Sequence, residues 1–246
     1  MMLRSRIIPA LLMQDGGLVK TVNFGDSKYV GDPINAVKIF NEKEVDELSL
    51  YDISATSQRR GPDFDHLRSI AVESRMPLCY GGGVRTAQDA IQLIKIGFEK
   101  VSISAAAIER PALIGELSDA IGRQSVVLTL DVKKDRFLGR YAVFTHNGRR
   151  AAKVNLADFL AENQTHAGEI VINDISRDGV MQGYDLDLAR TVRAAVDTPL
   201  TMLGGAGSTS HMRDLIDAIG VCGAAAGSMF VFNGVYRAVL ISYARP

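Results

Sequence analysis

Two short glycine runs, Tyr80-Gly81-Gly82-Gly83-Val84 and Leu203-Gly204-Gly205-Ala206-Gly207, stand in matching surroundings half a chain apart. Each follows a brief apolar run opened by proline, Pro77-Leu78-Cys79 and Pro199-Leu200-Thr201-Met202, and each precedes an amphipathic stretch. Glycine at a strand end lets backbone N–H groups approach a ligand, and the N-terminus of the next helix favours an anion. Each run therefore reads as half of a phosphate cradle. The plainer alternative is a tight strand-to-helix turn, and two copies in one context favour the cradle. The echo extends beyond glycine: Gly81-Gly82 and Ile96-Gly97 recur 123 positions later as Gly204-Gly205 and Ile219-Gly220, and Asp52-Ile53-Ser54 recurs 122 positions later as Asp174-Ile175-Ser176.

Around these runs the chain alternates β-rich and amphipathic segments eight times. The first strand is Arg6-Ile7-Ile8-Pro9-Ala10-Leu11-Leu12, followed by a polar, glycine-rich stretch over residues 14–31 read as a long functional loop. Asp32-Pro33 has the form of an N-cap with proline at the first helical position. Thr86 and Asp89 have capping-box spacing before a helix over 86–96. Strands follow at Lys100-Val101-Ser102-Ile103-Ser104 and at 125–132, and a small hairpin is expected within 136–150, where Asn147-Gly148 marks its turn. The last strand is 223–227 and the last helix is expected at 234–243. Parallel strands need crossover helices, and eight such units close into one (β/α)8 barrel, an α/β fold built here from two half-barrel repeats. An open doubly wound sheet is the competing architecture, and the repeat argues against it. The length of 246 residues and 47% hydrophobic content suit one barrel domain over the whole chain.

With 28 basic and 28 acidic residues and no basic run, nucleic acid is not an expected partner. No apolar run has the length of a bilayer span, and Met1-Met2-Leu3-Arg4-Ser5-Arg6 leads into too short an apolar segment for a signal peptide, so the expected location is cytoplasmic. Cys79 and Cys222 lie in apolar strand contexts and read as buried thiols, not a disulfide or metal pair. His66, His146, His166 and His211 have no metal-ligand spacing and read as surface or packing residues; no metal or cofactor is expected. In a barrel of this kind the reactive groups sit at the C-terminal strand ends. Asp52, Asp131 and Asp174 occupy such ends, and Asp178-Gly179 lies in a loop beyond. Asp131 is the candidate general acid/base, since partial burial there raises a carboxyl toward working pH. Asp178-Gly179 reads as a ligand-binding turn.

The ordered set Arg6-Ile7-Ile8-Pro9, Asp15-Gly16, Val19-Lys20, Asp46-Glu47-Leu48, Gly81-Gly82-Gly83, Lys100-Val101-Ser102-Ile103, Leu130-Asp131-Val132-Lys133, Ala167-Gly168-Glu169-Ile170, Arg177-Asp178-Gly179, Gly183-Tyr184-Asp185 and Gly204-Gly205-Ala206-Gly207 resembles the HisF family, the cyclase subunits of imidazole glycerol phosphate synthase. The resemblance covers nearly the whole chain. It implies a (β/α)8 barrel that receives ammonia from a separate glutaminase subunit at its N-terminal end and binds a substrate with two phosphates at the other. It places phosphate contacts at Gly83 and Ser104 on one side and at Asp178, Gly179, Gly205 and Ser228 on the other, with Lys20 and Asp52 also on the substrate side. It maps an entrance ring of alternating charge onto Arg6, Glu47, Lys100 and Glu169, for which a plain ion-pair layer is the alternative. Two departures stand out. The family's first catalytic aspartate should follow the Ile-Pro as Leu-Asp-Val, where this chain has Leu11-Leu12-Met13, and the family's Asn-Thr after Val-Ser-Ile is here Ser104-Ala105. Leucine transfers no proton. HisF-like chains edited in this way are associated with glutamine-dependent amidation of surface-polysaccharide sugars, in which a third protein activates the sugar. The expectation is thus an ammonia-delivering subunit, with a working histidine-pathway cyclase as the alternative.

Overall fold

A computed structural model describes residues 4–135 and 139–246. The first three residues and 136–138, part of the expected hairpin segment, lie outside the described residues. Eight parallel strands run β1 (Arg6–Gln14), β2 (Leu48–Asp52), β3 (Leu78–Gly81), β4 (Lys100–Ile103), β5 (Val126–Lys134), β6 (Glu169–Asp174), β7 (Leu200–Leu203) and β8 (Gly223–Ala226). Each pairs with its sequence neighbour, and β8 returns to β1 with Arg6 opposite Gly223 and Pro9 opposite Ala226. The sheet therefore closes, which excludes the open doubly wound alternative.

Among the described residues, seven helices of eight residues or more pack outside: α1 (Pro33–Glu42), α2 (Phe64–Glu73), α3 (Ala87–Ile96), α4 (Ala112–Ile121), α5 (Leu156–Asn163), α6 (Leu186–Ala195) and α7 (Thr209–Ile219). Six of these seven starts carry a side-chain cap, and α4, which follows Pro111, has none. Asp32 accepts from the Asn35 amide, Thr86 and Asp89 form a full capping box, and Ser208 accepts from the His211 amide. Such a cap is worth about 1 kcal/mol. Alternate strand residues divide the core: Leu48, Leu50, Leu78, Leu128, Ile170 and Ile172 belong to the large cluster shared with the helices. Cys79, Val127 and Val171 pack separately, with Leu203 against them, inside the barrel. Both cysteines are free and buried. Among the described residues no helix is long and apolar enough to cross a membrane.

Three expectations are corrected. Residues 14–31 are not a plain loop. Gly17–Lys20 and Lys28–Gly31 form an antiparallel pair that hydrogen-bonds onto β1, with Leu12 opposite Val19. Leu18 and Val19 are buried, while the glycine and polar residues that dominate the composition fall in the turns. The helix expected at 234–243 does not form. Gly234 and Arg237 sit at φ +69° and +50°, left-handed conformations that no α-helix admits. A single turn, Ser228–Val231, leads instead to a hairpin of Phe232–Asn233 with Ala238–Val239, and Tyr243 then donates from its hydroxyl to the Ile7 carbonyl at 3.1 Å.

The third correction concerns the repeat. A Cβ on Gly82 would lie 2.6 Å from the Asp52 carbonyl oxygen, and one on Gly204 would lie 2.6 Å from the Asp174 carbonyl oxygen. The structural partners are thus Gly82 with Gly204 and Gly83 with Gly205, a spacing of 122 that also relates Asp52 to Asp174 and Thr86 to Ser208. The spacing becomes 123 at Ile96 and Ile219 because α7 has 11 residues where α3 has 10. The four glycines hold left-handed φ values between +70° and +132°, and each presses on backbone of the preceding loop, so only glycine fits.

Candidate active site

At the C-terminal mouth lies a cavity of about 440 Å³. Lys20, Asp52, Gly83, Ser104, Asp131, Asp178, Gly179, Gly205 and Ser228 all line it, as does Leu12. The sequence-selected residues therefore converge on one space, although their contacts divide them.

Asp131 projects inward from β5. Its Oδ1 accepts from Asn173 Nδ2 on β6 at 2.9 Å. Burial pushes the carboxyl up to about 6; the Asn173 bond opposes this, and the charge of Asp178 adds to it. A group near 6 exchanges protons readily at neutral pH, the property a general acid/base needs. The ionised form is disfavoured in the folded state, so this residue's stability contribution is best below about pH 4 and worsens as pH rises through 6. Asp131→Asn keeps the acceptor for Asn173 and removes the charge. We expect it to gain up to about 3 kcal/mol at pH 7 and little at pH 4, read by denaturant unfolding at both values.

Lys20 is buried, and its ammonium donates to the Ala10 carbonyl at 2.7 Å. Burial pushes it down to about 8, against the pull of Asp178. A Cβ on Gly227 would lie 2.4 Å from Lys20 Nζ, so the glycine that follows β8 makes room for the lysine. Asp178 braces the hairpin over 14–31: its Oδ2 accepts from Thr21 Oγ1 at 2.7 Å and from the Phe24 amide at 3.3 Å. Gly179, at φ +68°, sits where a Cβ would be 2.3 Å from the Thr21 carbonyl. Asp52 is occupied by its own loop. Its Oδ1 accepts from the Ser54 amide, the Ser54 hydroxyl and the Ala55 amide at 2.9, 2.7 and 3.0 Å, and its Oδ2 faces Arg60 at 3.2 Å. Asp174 does the same in the second half, accepting from the Ser176 amide at 2.9 Å. These aspartates hold the loops beside the two glycine runs. Ser104 heads a short helix, Ala105–Glu109, at one glycine run, and Ser228 begins the single turn at the other.

Sequence reasoning missed His146. It lines the same cavity, at the tip of the hairpin formed by Tyr141–Thr145 and Arg150–Asn155, which pairs onto β5 with Phe144 opposite Asp131. His146 and Asn147 occupy left-handed positions, and Asn147 Nδ2 donates to the Ile53 carbonyl at 2.8 Å, fastening the hairpin across the mouth. The signal was present: an Asn-Gly turn only a short hairpin beyond a strand bearing the catalytic candidate returns its tip to that strand end.

At the opposite end Arg6, Glu47, Lys100 and Glu169 form a closed ring. Arg6 contacts both carboxylates, at 2.7 Å to Glu169, and Lys100 contacts Glu47 and Glu169 at 2.6 and 2.8 Å. The Thr201 hydroxyl donates to Glu169 as well. Burial works against the charge of Glu169, but Lys100 and Arg6 outweigh it and hold the carboxyl below its usual range. Glu47 and Glu169 stand 122 positions apart, so they are partners in the half-barrel repeat.

The fold and its two ends define a duplicated half-barrel protein of the (β/α)8 class, with an acid-bearing cavity at the strand C-termini and an ion-pair ring across the other end. The family described as "Histidine biosynthesis protein" matches residues 6–237. The chain belongs to this family and, within it, is a divergent HisF-like member. It is 52% identical over 246 residues to the "Putative imidazole glycerol phosphate synthase subunit hisF3" of Vibrio vulnificus, covering 100% of this chain and 95% of that one. It is 47% identical over 243 residues to the "Putative imidazole glycerol phosphate synthase subunit hisF2" of Pseudomonas aeruginosa, covering 98% and 96%. To the "Imidazole glycerol phosphate synthase subunit HisF" of Streptomyces coelicolor it is 38% identical over 234 residues, covering 95% and 92%.

Proposed function

We propose that this chain is the ammonia-receiving barrel of a glutamine-dependent synthase. A glutaminase subunit docks at the N-terminal face, ammonia enters past the Arg6, Glu47, Lys100 and Glu169 ring, and it emerges beside Asp131 to meet a phosphate-bearing or sugar substrate. The reaction it serves is amidation of surface-polysaccharide sugars, with a sugar amidotransferase as third partner. The observation that carries this reading is the pairing of a complete charge ring with a mouth in which Leu12, an apolar side chain, lines the cavity that holds Asp131. Gly83 with Ser104 and Gly205 with Ser228 line the same cavity, an arrangement that suits a phosphate at each glycine run. The greater identity to relatives named hisF2 and hisF3 than to the Streptomyces HisF supports a divergence from the histidine-pathway enzyme. The names of those same relatives favour the second reading, a working cyclase.

One experiment separates them. The purified barrel is mixed with a HisH-type glutaminase from the same cell, and separately assayed with the cyclase's ribonucleotide substrate and ammonium salt. We expect a stable complex, stimulated glutamine hydrolysis and background cyclase turnover. Robust turnover by the barrel establishes the second reading, and failure to bind any glutaminase removes the first.

A further inference from the structure

The half-barrel repeat puts two different side chains at one structural position. Asp89 and His211 stand 122 positions apart, each the third residue of the helix that follows a glycine run. In the first half Asp89 Oδ2 accepts from the Arg85 amide at 3.1 Å and from the Thr86 amide at 3.0 Å. In the second half His211 Nδ1 accepts from the Gly207 amide at 3.2 Å. Gly207 is the counterpart of Arg85 at the same spacing. Each side chain therefore fastens the end of its glycine run back onto the next helix.

The two fasteners differ in chemistry. A carboxyl group keeps an acceptor oxygen whether it is ionised or protonated. A neutral imidazole has one acceptor nitrogen, and gaining a proton turns that nitrogen into a donor. The Gly207 bond makes Nδ1 the acceptor, so a proton arriving there sets N–H against N–H and the bond is lost. Histidine is the side chain that changes charge between about pH 5 and 8. The ring also reaches the loop facing the second run. A Cβ on Gly183 would lie 3.6 Å from His211 Cδ2, and the Gly183 amide donates to the Gly205 carbonyl at 2.8 Å. Gly205 and Ala206 line the mouth cavity, so the contact at Gly207 acts on a wall of the site.

The charged groups around the imidazole are engaged elsewhere. The run from Leu203 to Gly207 has none. On the facing loop, Arg177 donates to the Gly183 carbonyl at 2.9 Å, Asp178 holds Thr21, and Asp185 caps α6 and accepts from Tyr141. On α6, Asp187 pairs with Arg190, and Arg193 donates to the Thr198 carbonyl at 3.3 Å. On α7 itself Arg213 and Asp214 follow within one turn. Among the described residues none of these forms an ion pair with His211.

We infer that His211 is a positioning residue that holds the second glycine run when neutral and releases it when protonated, while the first run, fastened by Asp89, stays closed. The mouth then loses one of its two anchoring walls as the solution turns acidic. The inference takes its purpose from the phosphate reading of the glycine runs above, though its test needs no ligand and no partner.

Two-dimensional NMR of the full chain from about pH 5 to 8 follows the Gly207 and Arg85 amides together with the His211 ring. We expect the Gly207 amide proton to move upfield on acidification with the midpoint of the ring. Its exchange protection, corrected for the intrinsic effect of pH, should fall about fivefold with the loss of one hydrogen bond. The Arg85 amide, which also belongs to the cavity lining, should hold still and so separates this effect from the titration of Asp131 in the same space. His211→Asn supplies a neutral acceptor of the same length as Asp89, and there the Gly207 amide should stay bonded and stop titrating. A ring that takes up no proton in this range, a Gly207 amide unmoved while the ring titrates, or an equal titration of that amide in His211→Asn overturns the inference. Failure of sulfate to shift the amides of either glycine run would instead remove the phosphate reading and leave these titrations unchanged.

Discussion

Leu12→Asp should raise turnover of the ribonucleotide substrate with ammonium salt by about 100-fold or more over the parent barrel, since a positioned proton-transfer group contributes 10²–10⁴-fold. Leu12 lines the cavity with Asp131, so the new carboxyl enters the same space. Two carboxyls there would share their titration: the second ionisation is opposed by the first, and one group stays protonated near neutral pH while the other acts as base. The pH profile of the variant should accordingly show two limbs, where Asp131 alone at about 6 gives one. Burying a second carboxyl also lowers the melting temperature, most at high pH. If turnover stays at background while the variant folds and the two-limbed titration appears by NMR, the missing aspartate is not the main edit. The part of the cavity lined by Ser104 and Ala105 then carries the loss.

Glu169→Leu is expected to have the largest effect on stability. Glu169 is 3% exposed and accepts from Arg6, Lys100 and Thr201. Removing it leaves two partly buried cations facing the single charge of Glu47, and breaking a buried pair from one side costs about 3–5 kcal/mol. In a chain of this size that lowers the melting temperature by roughly 6–20 °C. Salt should restore little of the loss, because buried pairs are weakly screened. Replacing all four ring residues by apolar side chains of similar volume should cost far less, since the desolvation cost leaves with the charges. A melting temperature within about 2 °C of the parent for the single variant would show that the ring contributes nothing net to stability.

The architecture was legible because parallel strands write themselves as short apolar runs and helices announce their caps. Asp32-Pro33 and Thr86 with Asp89 each mark a helix start that the structure reproduces. What failed was local twist. Nothing in the pattern of 234–243 signals that Gly234 and Arg237 take left-handed conformations, and the composition of 14–31 hides a hairpin behind its turn residues. The spacing of the repeat was blurred by one residue because glycine runs align with themselves at more than one offset; only the close approach of Gly82 to Asp52 and of Gly204 to Asp174 fixes the pairing. The site was partly readable. Strand ends point to Asp131, but the contacts that turn Asp52 and Asp178 into loop braces, and the fold-back that brings His146 over the mouth, depend on segments far apart in sequence.

The ring also bears on how two such halves recognise each other. Arg6, Glu47 and Lys100 all belong to the first half of the chain, while the second supplies Glu169 alone. The first half thus brings one unit of surplus positive charge to the shared floor, and the second brings one unit of negative charge. Two first halves facing each other would trap an excess of two cations there, and two second halves would trap a pair of unmatched carboxylates. Electrostatics at the barrel floor therefore rewards the unlike pairing, so the ring acts as a lock that favours closure between the two different halves.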